Sequence, residues 1–178
     1  MSYRRDGDRN EILKELMEAY GRDVWNFAYS ITLKAEAADD IAQNTFLKIY
    51  ENLYSYRGRS SVKTWILAIT RNCAYDFKRS AFIKKVTLVS YLRDDYFSNN
   101  HASAEEEAIH QLEANEVWQI VLSLPGKFRE PLVLYAHHQL SMAEIATMLN
   151  VSEGTVKSRL HRARIKVSKG LKEGERYA

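Results

Sequence analysis

Apolar residues recur at intervals of three and four along most of this 178-residue chain, and the alternation typical of strands is nearly absent. The first apolar face predicts a helix over about residues 9–33, which Gly21 is expected to interrupt or bend. A second helix is expected after a linker at 35–39, and a third begins at Ser60 or Ser61. Because every strongly periodic segment is helical, we predict an all-α protein.

The same pattern divides the chain into two small helical domains. The third helix is predicted to end near 78–79, which gives a first domain over 8–82. Residues 83–108 lose the periodicity and are rich in turn formers and acids, as is typical of a flexible interdomain linker. A second domain is predicted over 109–175, and Pro131 is expected near the first position of one of its helices, where its missing N–H costs nothing.

The stretch 140–164 carries the signature of two helices joined by a tight turn. Ser141 and Glu144 have the spacing of a capping box, and the first helix is expected to end near residue 149. Asn150 can adopt the left-handed conformation of a turn, and Ser152 can cap the second helix. This arrangement predicts a helix-turn-helix whose second helix enters a DNA major groove.

The second helix of this motif has one apolar face and one basic face. Val156, Leu160, Ala163 and Val167 recur at steps of four, three and four, and are predicted to face the core. The residues predicted to face DNA are Thr155, Ser158, His161 and Arg162, with Lys157 at the edge and Arg159 and Arg164 beside the phosphates. Seven basic residues and no acidic residue lie between Gly154 and Lys172. An ordinary solvated helix would carry both positive and negative charges. Arg162 can make a bidentate contact with guanine and is the best candidate for base discrimination.

Aromatic and basic residues alternate over 54–79, a composition that suits unpaired DNA because rings stack on bases and cations follow the backbone. Tyr56, in a polar loop beside Gly58, is the best candidate for a base contact, whereas Trp65 and Phe77 are expected in the core. The candidate strand-binding basic residues of this stretch are Arg57, Lys63, Lys78 and Arg79. Composition alone leaves single-strand binding and an ordinary helical surface equally open.

Composition narrows the remaining possibilities. The formal net charge of the chain is only +3. For DNA binding, the local concentration of basic residues on one helix therefore matters more than the overall charge. The single cysteine, Cys73, excludes an intramolecular disulfide and lies in an apolar context that predicts burial. Neither a membrane span nor a signal-peptide core is present in the sequence, so we expect a soluble, cytoplasmic protein.

Two other classes of protein, an operator-binding regulator and an enzyme, are alternatives to this DNA-binding factor. A transcription regulator that binds an operator as a dimer would need a βα-alternating receiver or a ligand domain, and residues 8–82 show no such alternation. An enzyme would need a phosphate loop, a metal-spaced cluster or a nucleophile constellation, and none is recognisable. His137 and His138 would point about 100° apart on a helix and so are not expected to form a ligand pair. We therefore predict no catalytic residue, no metal site and no cofactor.

The order of these motifs resembles the sigma-70 family, specifically the short extracytoplasmic-function (ECF) subgroup of bacterial RNA polymerase sigma factors. The matching segments are 40–50, 56–60 with Trp65 and 72–79, 124–125, 129–130 and 140–164. The resemblance implies two helical domains, called regions two and four, joined by a flexible linker. It also implies a factor that binds core RNA polymerase, directs it to specific promoters and assists DNA melting.

The resemblance further implies roles for individual residues and partners. Asp40, Gln43, Leu47 and Lys48 resemble the surface that docks on the clamp helices of the largest polymerase subunit, while the flap is the other polymerase contact. Tyr56 and Asn72 match positions that hold a flipped base of the melted minus-ten element. Lys157, Ser158, His161 and Arg162 match positions that read the minus-thirty-five element, although His161 stands where the family varies. An anti-sigma factor, often membrane-bound, commonly holds members of this subgroup inactive.

Overall fold

A computed structural model describes residues 3–88 and 116–174 of the chain, with side chains for 8–81 and 116–173. Within these ranges every regular element is a helix, which confirms the all-α prediction. The elements are α1 (Tyr3–Thr32), α2 (Ala35–Asn52), a 3-10 turn (Leu53–Ser55), α3 (Val62–Leu88), α4 (Glu116–Ser123), α5 (Gly126–Ala136), α6 (Met142–Leu149) and α7 (Glu153–Gly174). None of the helices in the described ranges combines the length and apolar character that crossing a membrane requires.

Helices α1, α2 and α3 form the N-terminal domain by packing their apolar faces together. Phe27 of α1, Ile41 and Ile49 of α2 and Leu67 of α3 are almost completely buried. Cys73 is buried in the same core, as predicted. The Ser61 hydroxyl accepts a hydrogen bond from the Thr64 amide at 3.0 Å, so Ser61 caps the start of α3.

In this domain the predicted interruption at Gly21 does not occur, and two predicted boundaries are wrong. Helix α1 continues through Gly21 without interruption, and the segment 35–39 is the first turn of α2 rather than a linker. A single residue in the left-handed conformation, Leu33 with φ of 58°, is enough to end α1. Helix α3 passes the predicted end at 78–79 and continues to Leu88, because neither Gly nor Pro interrupts this part of the sequence. The rest of the predicted linker lies outside the described residues.

The predicted helix-turn-helix is confirmed in detail. The Ser141 amide donates to Glu144 Oε2 at 3.0 Å and the Glu144 amide donates to Ser141 Oγ at 3.3 Å, which completes the capping box. Asn150 lies in the left-handed region with φ 53° and ψ 52°. The Thr155 amide donates to Ser152 Oγ at 3.1 Å, so Ser152 caps α7.

The start of α5 differs from the prediction. The helix begins at Gly126, after Pro125, so Pro131 lies inside it and leaves the Lys127 carbonyl without its usual helical partner. Buried Arg129 joins α5 to the end of α4, where its Nη1 donates to the Leu122 and Leu124 carbonyls. These bonds satisfy carbonyl groups that the short helix α4 leaves unpaired at its C-terminus.

The two domains pack against each other through α1, α3 and α5. A single apolar cluster continues from Phe27 of α1 to Leu134 of α5. Glu130, also on α5, is buried and accepts hydrogen bonds from Arg71 Nε and from the Tyr75 hydroxyl, the latter at 2.9 Å. Burial, followed by the neighbouring Glu130 carboxylate, raises the pKa of Tyr75.

A second polar contact joins α3 to the helix-turn-helix. The Thr64 hydroxyl donates to Glu144 Oε1 at 2.6 Å across 80 positions of sequence. This bond, and after it the bonds from Ser141, lower the pKa of Glu144. Glu144 therefore serves both the capping box of its own helix and the contact between domains.

Ser141→Ala should lower the free energy of unfolding by about 1 kcal/mol, because the amide at the start of α6 loses its capping acceptor. Urea denaturation followed by circular dichroism measures this loss. Ser168→Ala, an exposed change in the interior of α7, is the matched control and should cost nothing. Equal stability of the two variants would contradict the capping role.

Glu130→Gln should weaken the contact between the domains, because two hydrogen bonds to a buried carboxylate are replaced by bonds to a neutral amide. Such charge-assisted bonds contribute about 1.5–3 kcal/mol each, so a fraction of the molecules should open. Small-angle X-ray scattering should then give a larger radius of gyration than for the wild type. The exposed control Glu51→Gln should leave the radius unchanged, and an unchanged radius for both variants would argue against Glu130 as an interdomain contact.

Candidate nucleic-acid interface

Helix α7 presents its basic face to solvent. On its opposite side Val156, Leu160 and Ala163 are at most 1% exposed, as the apolar spacing predicts. Of the seven predicted DNA-contacting residues, the fully exposed ones are Lys157, Ser158, His161, Arg162 and Arg164, and the partly buried ones are Thr155 and Arg159. Because the apolar stripe anchors the helix, these polar side chains lie together on its accessible face.

Local contacts orient this face of α7. The Arg164 guanidinium lies over the Tyr135 ring of α5, with 5.3 Å between the guanidinium carbon and the ring centroid. Ser158 Oγ donates to the Thr155 carbonyl at 2.9 Å. The ion pair of Lys169 with Glu173, at 3.6 Å, lies at the far end of the helix. The basic residues are therefore spread along the whole length of α7, and Lys169 is the one that this ion pair partly neutralises.

An open cleft of about 310 Å³ lies where the loop after the 3-10 turn meets α3. The residues that line it are Ser55, Tyr56, Arg57, Arg59, Ser60 and Trp65. The Tyr56 and Trp65 rings lie 5.1 Å apart at 44°, and the Tyr56 hydroxyl donates to the Ser60 carbonyl at 2.6 Å. Trp65 packs partly against the core, as expected, but it also forms a wall of this cleft. Sequence reasoning did not assign Trp65 or Arg59 to the site.

The other candidate strand-binding residues do not gather in this cleft. They extend along α3 from Lys63 to Arg79, a distance of about 24 Å at 1.5 Å per residue. Asn72, Lys78 and Arg79 are exposed, whereas Lys63 already forms a 2.9 Å ion pair with Asp23. The structure therefore does not bring these residues into one compact pocket, and Asp76 lies among them, 4.0 Å from Arg79.

The predicted polymerase-docking residues share one face of α2. Asp40, Gln43 and Leu47 are exposed, and their spacing of three and four places them in line along the helix. Leu47 is 61% exposed. Lys48 is partly buried, and its ammonium lies 3.6 Å from the Asp76 carboxylate of α3.

The structure also brings together a group that sequence reasoning excluded. Helix α5 ends at Ala136, so the helical spacing assumed for His137 and His138 does not apply, and their rings lie 4.7 Å apart. Both face Asp23 of α1. The adjacent His138 imidazole, and then the Lys63 ammonium, hold the pKa of Asp23 at about 2 against the opposing effect of burial. Because Asp23 and His138 are 115 positions apart, no local pattern could have indicated this group.

Comparison with known proteins identifies both domains. Residues 16–81 match the model of sigma-70 region 2, and residues 114–167 match that of sigma-70 region 4. The ECF RNA polymerase sigma factor SigM of Bacillus subtilis is 35% identical over 153 residues, which is 85% of this chain and 90% of SigM. SigW of the same organism is 29% identical, over 95% of this chain and 93% of SigW.

A solved structure supports the fold. The sigma factor RpoE of Bartonella quintana, crystallised in complex with the anti-sigma factor NepR, superposes with a TM-score of 0.70 at 24% identity, over 91% of this chain and 97% of RpoE. The similarity to SigM, together with both domain matches, shows the family. The chain belongs to the extracytoplasmic-function group of sigma-70 RNA polymerase sigma factors.

Proposed function

We propose that this sigma factor contacts promoter DNA at two places and core RNA polymerase at a third. The region 4 domain, over 109–175, binds the minus-thirty-five element, and the region 2 domain, over 8–82, binds the minus-ten element. The exposed, acid-free face of α7 opposite a buried apolar stripe is the observation that carries the proposal. The protein acts in the cytoplasm as an initiation factor and performs no catalysis of its own.

The basic face of α7 enters the major groove, whose width of about 12 Å admits a helix. Arg162 reads a guanine through two parallel hydrogen bonds, and its neighbours Ser158 and His161 contact adjacent base edges. Arg159 and Arg164 bind phosphates, which strengthens binding without sequence preference. Thr155 and Lys157 lie at the edges of the same face and complete the contact.

The cleft beside the 3-10 turn receives one unpaired base of the melted minus-ten element. The Tyr56 and Trp65 rings supply a stacking surface, and stacking contributes about 1–3 kcal/mol per base. Arg57 at the rim binds the adjoining phosphate. Farther along α3 the strand contacts Asn72, Lys78 and Arg79. Lys63, at the start of the same helix, contacts a phosphate when it exchanges its ion pair with Asp23 for that phosphate.

The exposed face of α2 docks on the clamp helices of the largest polymerase subunit, and region 4 approaches the flap. Leu47 offers an apolar contact at the centre of this face, and Asp40 and Gln43 offer hydrogen-bonding groups beside it. Lys48 lies at the border, where Asp76 holds its side chain. The exposure of Leu47 is explained when a partner covers it.

An anti-sigma factor controls access to these surfaces. The support is the similarity to RpoE of Bartonella quintana, which was solved in complex with the anti-sigma factor NepR. Such a partner, which we propose is anchored to the membrane, would compete with polymerase for this chain.

Arg162→Ala should reduce promoter-specific transcription by about 10- to 100-fold, which corresponds to the loss of 1–3 kcal/mol of base discrimination. Core-polymerase binding should not change, because Arg162 lies on the face of α7 that is proposed to contact DNA rather than polymerase. In vitro transcription and a polymerase affinity measurement test the two parts. Lys172→Ala, ten positions further along α7, is the matched control. Loss of both activities in Arg162→Ala would count against the assignment.

The combined change Asp40→Ala and Gln43→Ala should have the reverse effect. Affinity for core polymerase should fall about tenfold or more, equivalent to at least ~1.4 kcal/mol, because the docking face loses its polar contacts. Fluorescence anisotropy of labelled protein with core polymerase measures this affinity. Glu15→Ala on the exposed surface of α1 serves as the control, and unchanged affinity of the double variant would remove α2 from the docking surface.

A further inference from the structure

Three potential metal ligands meet at the contact between the two domains. Asp23 belongs to α1 of the first domain, while His137 and His138 follow α5 of the second. One ligand atom from each of the three side chains lies within 4.8 Å of those of the other two. The group therefore bridges the domains.

His138 is the unusual member of this group. It is 2% exposed, and within the described residues neither of its ring nitrogens has a hydrogen-bond partner. Its Nδ1 lies 3.4 Å from Asp23 Oδ1, but the contact does not have hydrogen-bond geometry. A buried imidazole without partners is costly, and a metal ion would satisfy its free nitrogen lone pair.

The geometry suits a small divalent ion. Bonds of about 2.0–2.1 Å in a tetrahedral site place neighbouring ligand atoms about 3.3 Å apart, close to the separation of His138 Nδ1 and Asp23 Oδ1. His137 must move inward slightly to complete a three-ligand set. Because His137 is partly exposed, water can reach the fourth position, as in zinc sites that have three protein ligands.

The surroundings orient the ligands. Asp23 Oδ2 accepts a bond from the Lys63 ammonium at 2.9 Å, which leaves Oδ1 for the ion. The Phe27 ring packs edge-on against His138 at 5.4 Å, and the Trp118 ring packs in the same way against His137 at 5.1 Å. These contacts restrict both imidazoles to positions facing Asp23.

We propose that Asp23, His137 and His138 form a binding site for a divalent transition-metal ion, with Zn²⁺ as the best match, which fastens the two domains together. Two imidazoles and one carboxylate are ligands that Zn²⁺ and Co²⁺ both accept. The site is separate from the basic face of α7, from the cleft at Tyr56 and from the docking face of α2, and it shares Lys63 with the proposed minus-ten contacts.

The test uses the full chain after treatment with a chelator. Isothermal titration with Zn²⁺ should show one equivalent bound, and Co²⁺ should give the intense visible absorption of a tetrahedral site. Asp23→Asn and His137→Ala should each weaken Zn²⁺ binding by at least about 100-fold, since losing even an outer-shell partner costs 10–100-fold. Both positions are partly exposed, so the variants should fold, which circular dichroism without metal verifies.

The other histidines of the chain provide the matched control. A variant with His101, His110 and His161 all changed to alanine should bind Zn²⁺ as the wild type does. Zn²⁺ should also raise the melting temperature of the wild type and of this control, but not of Asp23→Asn or His137→Ala. Absence of binding by the wild type, or equal binding by the two site variants, would overturn the proposal.

Discussion

The burial of one apolar stripe orients the helix on which the proposed DNA contact depends. Val156, Leu160 and Ala163 each lie against the core, and a helix anchored on one side must expose the other. This helix carries seven basic residues between Gly154 and Lys172 and no acidic residue in the same interval. Rotating the helix would bury cations and expose apolar side chains, so packing and charge together permit one orientation.

Polar groups define how the two domains meet. Glu130 and Glu144 belong to the second domain, yet each accepts hydrogen bonds from the first, through Arg71 and Tyr75 or through Thr64. Glu130 is buried, and a buried carboxylate without such partners would be strongly destabilising, so its contacts favour one mutual arrangement. His138 is the exception, because its buried nitrogens have no such partner within the described residues. For this reason the metal site that we propose includes His138 together with Asp23.

The proposed polymerase and minus-ten surfaces are built differently from the proposed minus-thirty-five surface. The α2 face depends on an exposed leucine between polar residues, and the cleft depends on two rings, Tyr56 and Trp65, beside a turn at Gly58 with φ of 68°. Trp65 contributes both to the core and to the cleft wall. A residue with two such roles couples the shape of the cleft to the packing of the domain.

Local sequence determined the helical class, the capping box at Ser141, the left-handed turn at Asn150 and the basic face of α7, because these depend on neighbours within four positions. It misplaced the end of α3 and the role of Pro131, since helix ends depend on competition among several capping signals rather than on one residue.

Only the tertiary structure decided which distant groups meet. Glu130 lies 59 positions from Arg71, and His138 lies 115 from Asp23, so no periodic pattern links them. Those pairings follow from the packing of α1 and α3 against α5, which brings together side chains with no local reason to be near each other.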